Sequence, residues 1–264
     1  MSTLVRNNVN IFGAGTQPMV FSHGFGCDQN MWRLITPAFA DDHRIVLFDH
    51  VGAGRSDLSA YVPAKYASLG GYADDVVEIL EELDLTDVIF VGHSVSTMIG
   101  VLASLKAPER FAKLVMIGPS PRYIDDADYV GGFSREGVDE LLDFLANNHL
   151  GWSAAMAPLI MANSDRPELS NELENSFCAT DPDIASQFAR VTFLSDNRAD
   201  LPNVTIPSLI LQSTEDVIAP QEVGTYCHQH LPNSTLVLLT ATGHCAHISA
   251  PDATTAAIKD YLTH

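Results

Sequence analysis

The segment Gly92-His93-Ser94 places a serine where its hydroxyl can act as a nucleophile. It follows an apolar run, Val88 to Val91, that is typical of a buried strand, and residues 96–106 after it are compatible with a helix. A serine on such a tight strand-to-helix turn presents its hydroxyl at the carboxyl edge of a sheet. Gly-x-Ser occurs five times in the chain, and only Ser94 has this context. Ser94 is therefore the candidate nucleophile, and the alternative is a serine that merely caps a helix.

A serine hydroxyl is a weak nucleophile at neutral pH, so Ser94 needs a histidine that accepts its proton and a carboxylate that orients the histidine. Asp216 follows one predicted strand, and His244 follows the next one. The order serine, aspartate, histidine, with each residue at the carboxyl end of a strand, is that of one known type of catalytic triad. Glu215 is the rival carboxylate, and His247 is the rival base.

A glycine-rich turn, His23-Gly24-Phe25-Gly26, follows a short apolar run. Glycines let backbone N–H groups approach a substrate closely, and such groups stabilise the oxyanion of a tetrahedral intermediate. The predicted donors are the N–H groups of Phe25 and of Val95, the residue after the nucleophile. The neighbouring residues that are predicted to contact the substrate are His23, Gly24 and His93. The alternative for the glycine-rich segment is a simple tight turn.

Two other kinds of motif would indicate a bound metal or nucleotide, and both are weak here. His244 with His247, and His228 with His230, are spaced like metal ligands, but a zinc site requires further ligands. Gly52-Ala53-Gly54 follows a strand, yet Asp57 stands where a dinucleotide motif has its third glycine. We therefore predict no metal and no cofactor.

Short apolar runs alternate with amphipathic stretches along the chain, and this pattern indicates an α/β fold, a mostly parallel sheet flanked by helices. The stretch Tyr72 to Leu85, for example, places its apolar side chains on one stripe, as in a helix with one exposed face. The predicted strands are Met19 to Phe21, Arg44 to Phe48, Val88 to Val91, Lys113 to Ile117, Ser208 to Gln212 and Thr235 to Leu239.

The alternation of strands and helices stops after Ile117 and resumes about 90 residues later. Helical patterns fill this interval, so we predict a helical cap of residues 122–196 inserted into a core of residues 1–121 and 197–264. A cap above a catalytic serine lines a pocket, and an apolar pocket favours small hydrophobic esters or lactones. The large apolar side chains predicted to line it, rather than only to pack, are Phe133, Trp152, Met156, Phe177 and Phe193.

The composition sets limits on the class of protein. With 264 residues, 46% of them hydrophobic and 18% charged, the chain is typical of one large globular domain. The net charge of −19 repels phosphate backbones and anionic headgroups, so no binding of nucleic acid or membrane is expected. The four cysteines form no Cys-x-x-Cys pair, and no segment approaches the roughly 18 apolar residues of a membrane helix. This composition fits a reduced, cytoplasmic setting.

Several long blocks of the sequence resemble one family, the α/β-hydrolases related to the bacterial stress regulator RsbQ and to the plant karrikin and strigolactone receptors. The blocks in the core are His23 to Gln29, Phe48 to Asp57, Val91 to Ser96, Gly118 to Tyr123, Gln212 to Pro220 and Gly243 to Cys245. Two segments of the cap, Gly131 to Phe133 and Phe177 to Pro182, are most similar to RsbQ. The resemblance covers nearly the whole chain.

The resemblance implies an α/β-hydrolase fold with a four-helix cap over an apolar pocket. It implies a triad of Ser94, Asp216 and His244, with Asp216 rather than Glu215 as the carboxylate, and an oxyanion hole at Phe25 and Val95. The positions that match pocket-lining residues of relatives are Tyr123, Trp152, Phe177 and Phe193.

The family also implies two kinds of activity. One is a serine hydrolase of the carboxylesterase type that acts on small hydrophobic esters or lactones, which we expect here. The alternative is a slow hydrolase or ligand receptor that acts with a partner phosphatase in the sigma-B general stress response. A third interpretation, a binding module with a vestigial serine, is opposed by the presence of all three triad residue types.

Overall fold

The computed structural model describes residues 2–263, and a seven-stranded sheet lies at its centre. The strand order is β1-β3-β2-β4-β5-β6-β7, and every neighbouring pair is parallel except β1 with β3. The strands are β1 (Asn10–Phe12), β2 (Gln17–Ser22), β3 (His43–Leu47), β4 (Val88–His93), β5 (Phe111–Ile117), β6 (Ser208–Glu215) and β7 (Ser234–Thr242). This is the expected α/β architecture, and the fold class is confirmed.

Helices cover the sheet, and no helix within residues 2–263 is both long and apolar enough to cross a membrane. They are α1 (Thr3–Arg6), α2 (Leu69–Glu82), α3 (Val95–Lys106), α4 (Arg135–Asn147), α5 (His149–Met161), α6 (Pro167–Ala179), α7 (Pro182–Phe193), α8 (Gln221–His230), α9 (Ala246–Ser249) and α10 (Pro251–Leu262). Short 3₁₀ turns lie at Gln29–Trp32, Thr36–Ala38, Leu58–Ala60, Pro108–Arg110 and Leu201–Asn203.

The predicted strands are all present, and the sequence analysis missed one, β1. All three residues of β1 are exposed, and the strand is held at the sheet edge by antiparallel pairing with β3. Its sequence therefore lacks the apolar run that marks the buried parallel strands.

The core lies on both faces of the sheet. Strand β4 is buried along its whole length, and its successive side chains point to opposite faces. Val88 and Phe90 pack with α2 and α3, whereas Ile89 and Val91 pack with Trp32 and with the last helix. The sheet is therefore rigid at the carboxyl end of β4, where the candidate nucleophile stands.

Helices α4 to α7 lie between β5 and β6, and their apolar side chains share one cluster with core residues such as Met31, Ile218 and Ile248. The two ends of this segment lie side by side, since the N–H of Asn197 donates a hydrogen bond to the carbonyl oxygen of Pro121 over 2.7 Å. This contact agrees with the predicted cap, whose boundaries at 122 and 196 stay a prediction. We call α4 to α7 the cap helices.

Candidate active site

Ser94 stands on the turn between β4 and α3, in a backbone conformation that L residues rarely adopt. Its φ of 56° and ψ of −125° cost about 1–3 kcal/mol and persist only where the surroundings enforce them. The Ser94 N–H donates to the carbonyl oxygen of Ile117 over 2.9 Å, and the hydroxyl of Thr97 donates to the carbonyl oxygen of Ser94 over 2.6 Å. The Ser94 side chain makes no capping hydrogen bond to α3, so helix capping does not explain this serine.

The side chains of Ser94, His244 and Asp216 form a continuous hydrogen-bonded chain. His244 Nε2 lies 2.7 Å from Ser94 Oγ, and His244 Nδ1 lies 2.7 Å from Asp216 Oδ2. The other carboxylate oxygen, Asp216 Oδ1, accepts hydrogen bonds from the N–H groups of Ile218 at 2.8 Å and Ala219 at 3.0 Å. Because a carboxylate accepts the Nδ1 proton, Nε2 is left to accept a proton from Ser94. The geometry is that of a poised nucleophile and base.

The rival acid and base are engaged elsewhere. Glu215 Oε2 accepts a hydrogen bond from the hydroxyl of Thr242 over 3.0 Å. His247 is fully buried, and its ring packs on Trp32 and His93 with centroids 4.6 and 4.4 Å away. Neither ring nitrogen of His247 has a hydrogen-bond partner among residues 2–263.

The two predicted oxyanion donors are backbone N–H groups beside Ser94. Val95 is the first residue of α3, and Phe25 lines the same cavity as Ser94. In the described part of the chain, neither N–H group has a hydrogen-bond partner. Free backbone N–H groups near a serine hydroxyl are the kind of donor that binds a developing oxyanion. The assignment of Phe25 and Val95 to that role stays a prediction.

A small apolar cavity of about 40 Å³ lies above Ser94 and His244. Six residues of the predicted substrate contacts line it, namely His93, Tyr123, Trp152, Met156, Phe177 and Phe193. The lining residues that the sequence analysis missed are Cys27, Ile160, Leu173, Thr192, Ile218 and Cys245. Two of them could have been predicted from the sequence. Ile160 lies four residues after Met156, and Leu173 lies four residues before Phe177, so each shares a helix face with a residue that was predicted.

Three predicted substrate contacts lie outside this lining. The His23 ring is bonded to backbone at both nitrogens, since Nδ1 donates to the carbonyl oxygen of Gly24 over 2.9 Å and Nε2 accepts from the N–H of His50 over 3.1 Å. Gly24 packs against His93, because a Cβ there would lie 2.6 Å from His93 Nδ1. Phe133 packs behind the wall, edge-on against Phe193 with ring centroids 6.0 Å apart.

Burial keeps four titratable side chains around the cavity in their neutral forms, namely Tyr123, Cys27, Cys245 and His93. Burial raises the pKa of Tyr123 to about 12, and its hydroxyl lies 3.4 Å from Ser94 Oγ. Burial also raises the pKa of the Cys27 and Cys245 thiols, and all four cysteines of the chain are free. Burial lowers the pKa of His93 well below its ordinary value. A cavity with protonated thiols and the neutral His93 imidazole on its wall suits an uncharged ligand.

The weaker motifs have structural explanations. His228 Nδ1 lies 2.9 Å from Ser234 Oγ, and His230 Nδ1 donates to the carbonyl oxygen of Tyr226 over 2.8 Å. Within residues 2–263, no group of three or more His, Cys, Asp or Glu side chains is arranged to hold a metal ion. Gly54 accommodates Asp49, because a Cβ at Gly54 would lie 2.5 Å from Asp49 Oδ2.

Comparisons with known proteins identify one matching family model and several similar proteins. The family model described as alpha/beta hydrolase fold matches residues 17–251. The karrikin insensitive 2 receptor CA of Petunia hybrida is 39% identical over 259 residues, which cover 98% of this chain and 96% of the relative. The strigolactone esterase RMS3 of Pisum sativum is 37% identical over 259 residues, which cover 97% of this chain and 94% of the relative. The solved structure of a hydrolase from Oleispira antarctica has a TM-score of 0.97 and 43% identity, and the match covers 99% of this chain and 96% of that one.

Proposed function

The chain belongs to the α/β-hydrolase family, and from that premise we propose that it hydrolyses small hydrophobic carboxylic esters or lactones through an acyl-enzyme on Ser94. The observation that carries the proposal is the hydrogen-bonded chain from Asp216 through His244 to Ser94, with 2.7 Å at each link. Relatives that bear the names esterase and hydrolase support this class of reaction.

In the first half of the reaction, Ser94 Oγ attacks the carbonyl carbon of the substrate, and His244 Nε2 takes the hydroxyl proton. Asp216 stabilises the imidazolium that forms, and the N–H groups of Phe25 and Val95 bind the oxyanion. Collapse of the tetrahedral intermediate breaks the bond to the alkoxy oxygen, which leaves with the proton from His244 Nε2. The carbonyl carbon is then bonded to Ser94 Oγ.

In the second half, a water molecule attacks the acyl carbon while His244 Nε2 takes one of its protons. The second intermediate releases Ser94 Oγ, which regains the proton from His244, and the acid departs. With a lactone, the alcohol stays tethered to the acyl group, so one molecule of hydroxy acid is the product. No step consumes an oxidant, a reductant or a cofactor.

The wall of the cavity supports the proposed substrate class. Aromatic and aliphatic side chains from the cap helices cover it, and the polar groups gather near Ser94. A cavity of this kind buries an apolar acyl or alcohol group and leaves its orientation to a few polar contacts. Sugars and peptides, which need many hydrogen bonds, fit it poorly.

A receptor role is the second candidate, because a relative at 39% identity bears the name of a karrikin receptor. On that hypothesis the same triad reacts, but the acyl group leaves slowly and the occupied state is the signal. A stress-pathway phosphatase as the partner rests on the sequence resemblance alone. Association of the two purified proteins in the presence and absence of ester tests it.

The experiment for the main proposal combines hydrolysis of short p-nitrophenyl esters with intact-protein mass spectrometry. We expect Ser94→Ala to lower kcat/KM by at least about 10³-fold. The matched control is Ser120→Ala at another Gly-x-Ser, whose hydroxyl donates to the carbonyl oxygen of Arg122 over 2.9 Å. Near-normal hydrolysis by Ser94→Ala would contradict the proposal. A long-lived acyl mass on the wild type alone, with slow turnover, would favour the receptor role.

A further inference from the structure

The backbone of His244 is held by the cap as well as by the core. The His244 N–H donates a hydrogen bond to the carbonyl oxygen of Ile160, in the last turn of α5, over 2.9 Å. The His244 carbonyl oxygen accepts a hydrogen bond from His93 Nε2, at the end of β4, over 3.1 Å. The peptide units on the two sides of this residue are therefore anchored to two different parts of the fold.

The last turn of α5 is shaped for this contact. The last carbonyl groups of a helix have no partner within it and need one outside. Ala162, the residue that follows α5, is in the left-handed conformation with φ of 51°. The carbonyl oxygen of Ile160 therefore accepts its hydrogen bond from outside the helix, from the N–H of His244. The carbonyl oxygen of Ile160 and the N–H group of His244 are thus each provided with a hydrogen-bond partner.

Asn163 links the same two segments through its side chain. Its amide group, Nδ2, donates hydrogen bonds to the carbonyl oxygen of Met161 and, over 2.9 Å, to the carbonyl oxygen of Thr242. Its Oδ1 accepts a hydrogen bond from the guanidinium of Arg166. Asn163 is buried, with 8% of its surface exposed. Water therefore replaces these hydrogen bonds poorly when they are lost.

The backbones of the two segments also touch. Gly243 has φ of 92°, and a Cβ there would lie 2.1 Å from the carbonyl oxygen of Met161. No side chain fits between residue 243 and the end of α5. The end of β7 and the residues that lead to His244 therefore lie directly against the end of α5.

We propose that Asn163 is a positioning residue for His244, and that the end of α5 is part of the support of the catalytic base rather than only a cover over the cavity. The inference deepens the proposed hydrolase function and rests on it. Asn163 touches no reacting atom. Its amide shares the Thr242 carbonyl oxygen with the hydroxyl of Ser249, which donates over 3.1 Å, and links that carbonyl, and through it the loop on which His244 stands, to the end of α5. Misplacement of a reacting group by about 1 Å can cost about 100-fold in rate.

The first test compares Asn163→Ala and Asn163→Asp with Asn148→Ala. Asn148 caps the other end of α5, where its Oδ1 accepts a hydrogen bond from the N–H of Gly151 over 3.0 Å. The control therefore weakens the same helix without touching His244. Asp has the size of Asn but cannot donate to the two carbonyl oxygens. We expect kcat of both Asn163 variants to fall about 10- to 100-fold with KM within about 2-fold, and Asn148→Ala to keep its kcat.

Two results would overturn the inference. One is an Asn163 loss no larger than that of Asn148→Ala, and the other is a rise in KM at unchanged kcat. If neither Asn163 variant folds, Arg166→Ala decides, because it removes only the hydrogen bond to Asn163 Oδ1. We expect Arg166→Ala to lower kcat about 3-fold, and an unchanged kcat would overturn the inference.

A second readout does not depend on turnover. The proton between His244 Nδ1 and Asp216 gives a downfield proton NMR resonance, which we expect to shift or broaden in Asn163→Ala and to stay in place in Asn148→Ala. An unmoved resonance in both variants counts against the positioning role. If the wild type hydrolyses no ester, the function fails, and the resonance still tests the support of His244.

Discussion

The Nε2–H of His93 donates a hydrogen bond to the backbone carbonyl oxygen of His244 over 3.1 Å. A carbonyl oxygen only accepts, so the proton of the neutral ring is on Nε2. Burial lowers the pKa of His93 well below its ordinary value, with smaller effects from His247 and His244, so the ring stays neutral. Because His93 precedes Ser94 in the chain, this hydrogen bond connects the turn that carries Ser94 to the backbone of His244.

His93→Leu removes this donor, and we expect kcat to fall about 10- to 100-fold because His244 loses an anchor. His93→Gln retains an amide donor and should lose less. Steady-state hydrolysis of p-nitrophenyl butyrate measures both. His228→Leu, at a histidine remote from the cavity, serves as the control. Equal activity of the Leu and Gln variants would show that the hydrogen bond is not what matters.

The neighbouring carboxylates of Glu215 and Asp216 allow a direct test of which one orients His244. Asp216→Asn leaves the size of the side chain unchanged but favours the wrong tautomer of His244, so we expect kcat to fall about 10⁴-fold. Glu215→Gln changes a group that contacts Thr242 and should stay within about 3-fold of wild type. Comparison of kcat for the two variants checks this. A larger loss in Glu215→Gln than in Asp216→Asn would reverse the assignment.

The buried histidines predict a loss of stability in mild acid. Burial lowers the pKa of His247 to about 3, from an ordinary value of about 6.5. Below pH about 6.5 the unfolded chain binds a proton that folded His247 does not, so the free energy of unfolding falls by about 1.4 kcal/mol per pH unit for this residue. Burial lowers the pKa of His23, His50 and His93 in the same direction.

His247→Phe removes one of these contributions and keeps a ring between Trp32 and His93. Between about pH 7.5 and about pH 5.5, we expect the variant to lose about 1.4 kcal/mol less than the wild type. Urea unfolding at the two pH values measures the difference. Parallel losses in the two proteins would mean that folded His247 takes up a proton in this range.

Gly26 of the glycine-rich turn packs directly against Phe177 of the cap. Its φ is 67°, and a Cβ would lie 2.2 Å from the ring of Phe177. We expect Gly26→Ala to lower the free energy of unfolding by about 1–3 kcal/mol and to lower kcat, because the neighbouring Phe25 N–H is displaced. Thermal unfolding and steady-state kinetics measure the two effects.

Gly137→Ala is the matched control for that change. Gly137 lies in α4 at an ordinary φ, and its Cβ would meet only the Ser134 hydroxyl, at 3.2 Å. We expect this variant to gain about 0.4–1 kcal/mol with unchanged kcat, since alanine restricts the unfolded chain. A similar loss in both variants would mean that the contact with Phe177 is not the cause.

The sheet and the order of the triad candidates were predictable because buried parallel strands appear as continuous apolar runs. β1 was not, because its three residues are exposed and it is held by pairing with β3 and by a hydrogen bond from Asn10 to Gln29 rather than by burial. Their places after strands made Asp216 and His244 candidate partners of Ser94 but left Glu215 and His247 as rivals, and only the family resemblance favoured Asp216. The structure brings Asp216, His244 and Ser94 within hydrogen-bond distance of one another. The roles of these residues stay predictions until the variants are measured.

The wall of the cavity was predictable only in part. Large aromatic side chains in amphipathic helices were recognisable, and most of them line it. Thr192 and Cys245 were not, because the face that a helix or loop turns inward depends on its packing against the rest of the fold. Asn163 gave no signal, since its partner Thr242 lies 79 residues away in the chain.

The hydrogen bond between Pro121 and Asn197 brings together the two ends of the segment that carries the cap helices, and we expect that this segment can be exchanged as a unit. An insertion whose two ends meet adds little loop-closure cost to the protein that receives it, so a different cap can replace this one without disturbing the strands. Chimaeras that keep the sheet and change the cap are then a route to new acyl preferences. The attachment of His244 to α5 limits this freedom, because a transplanted cap must bring its own counterparts of Ile160 and Asn163. Diversification of such caps is expected to spare the end of α5 and to concentrate on the helix faces that line the cavity.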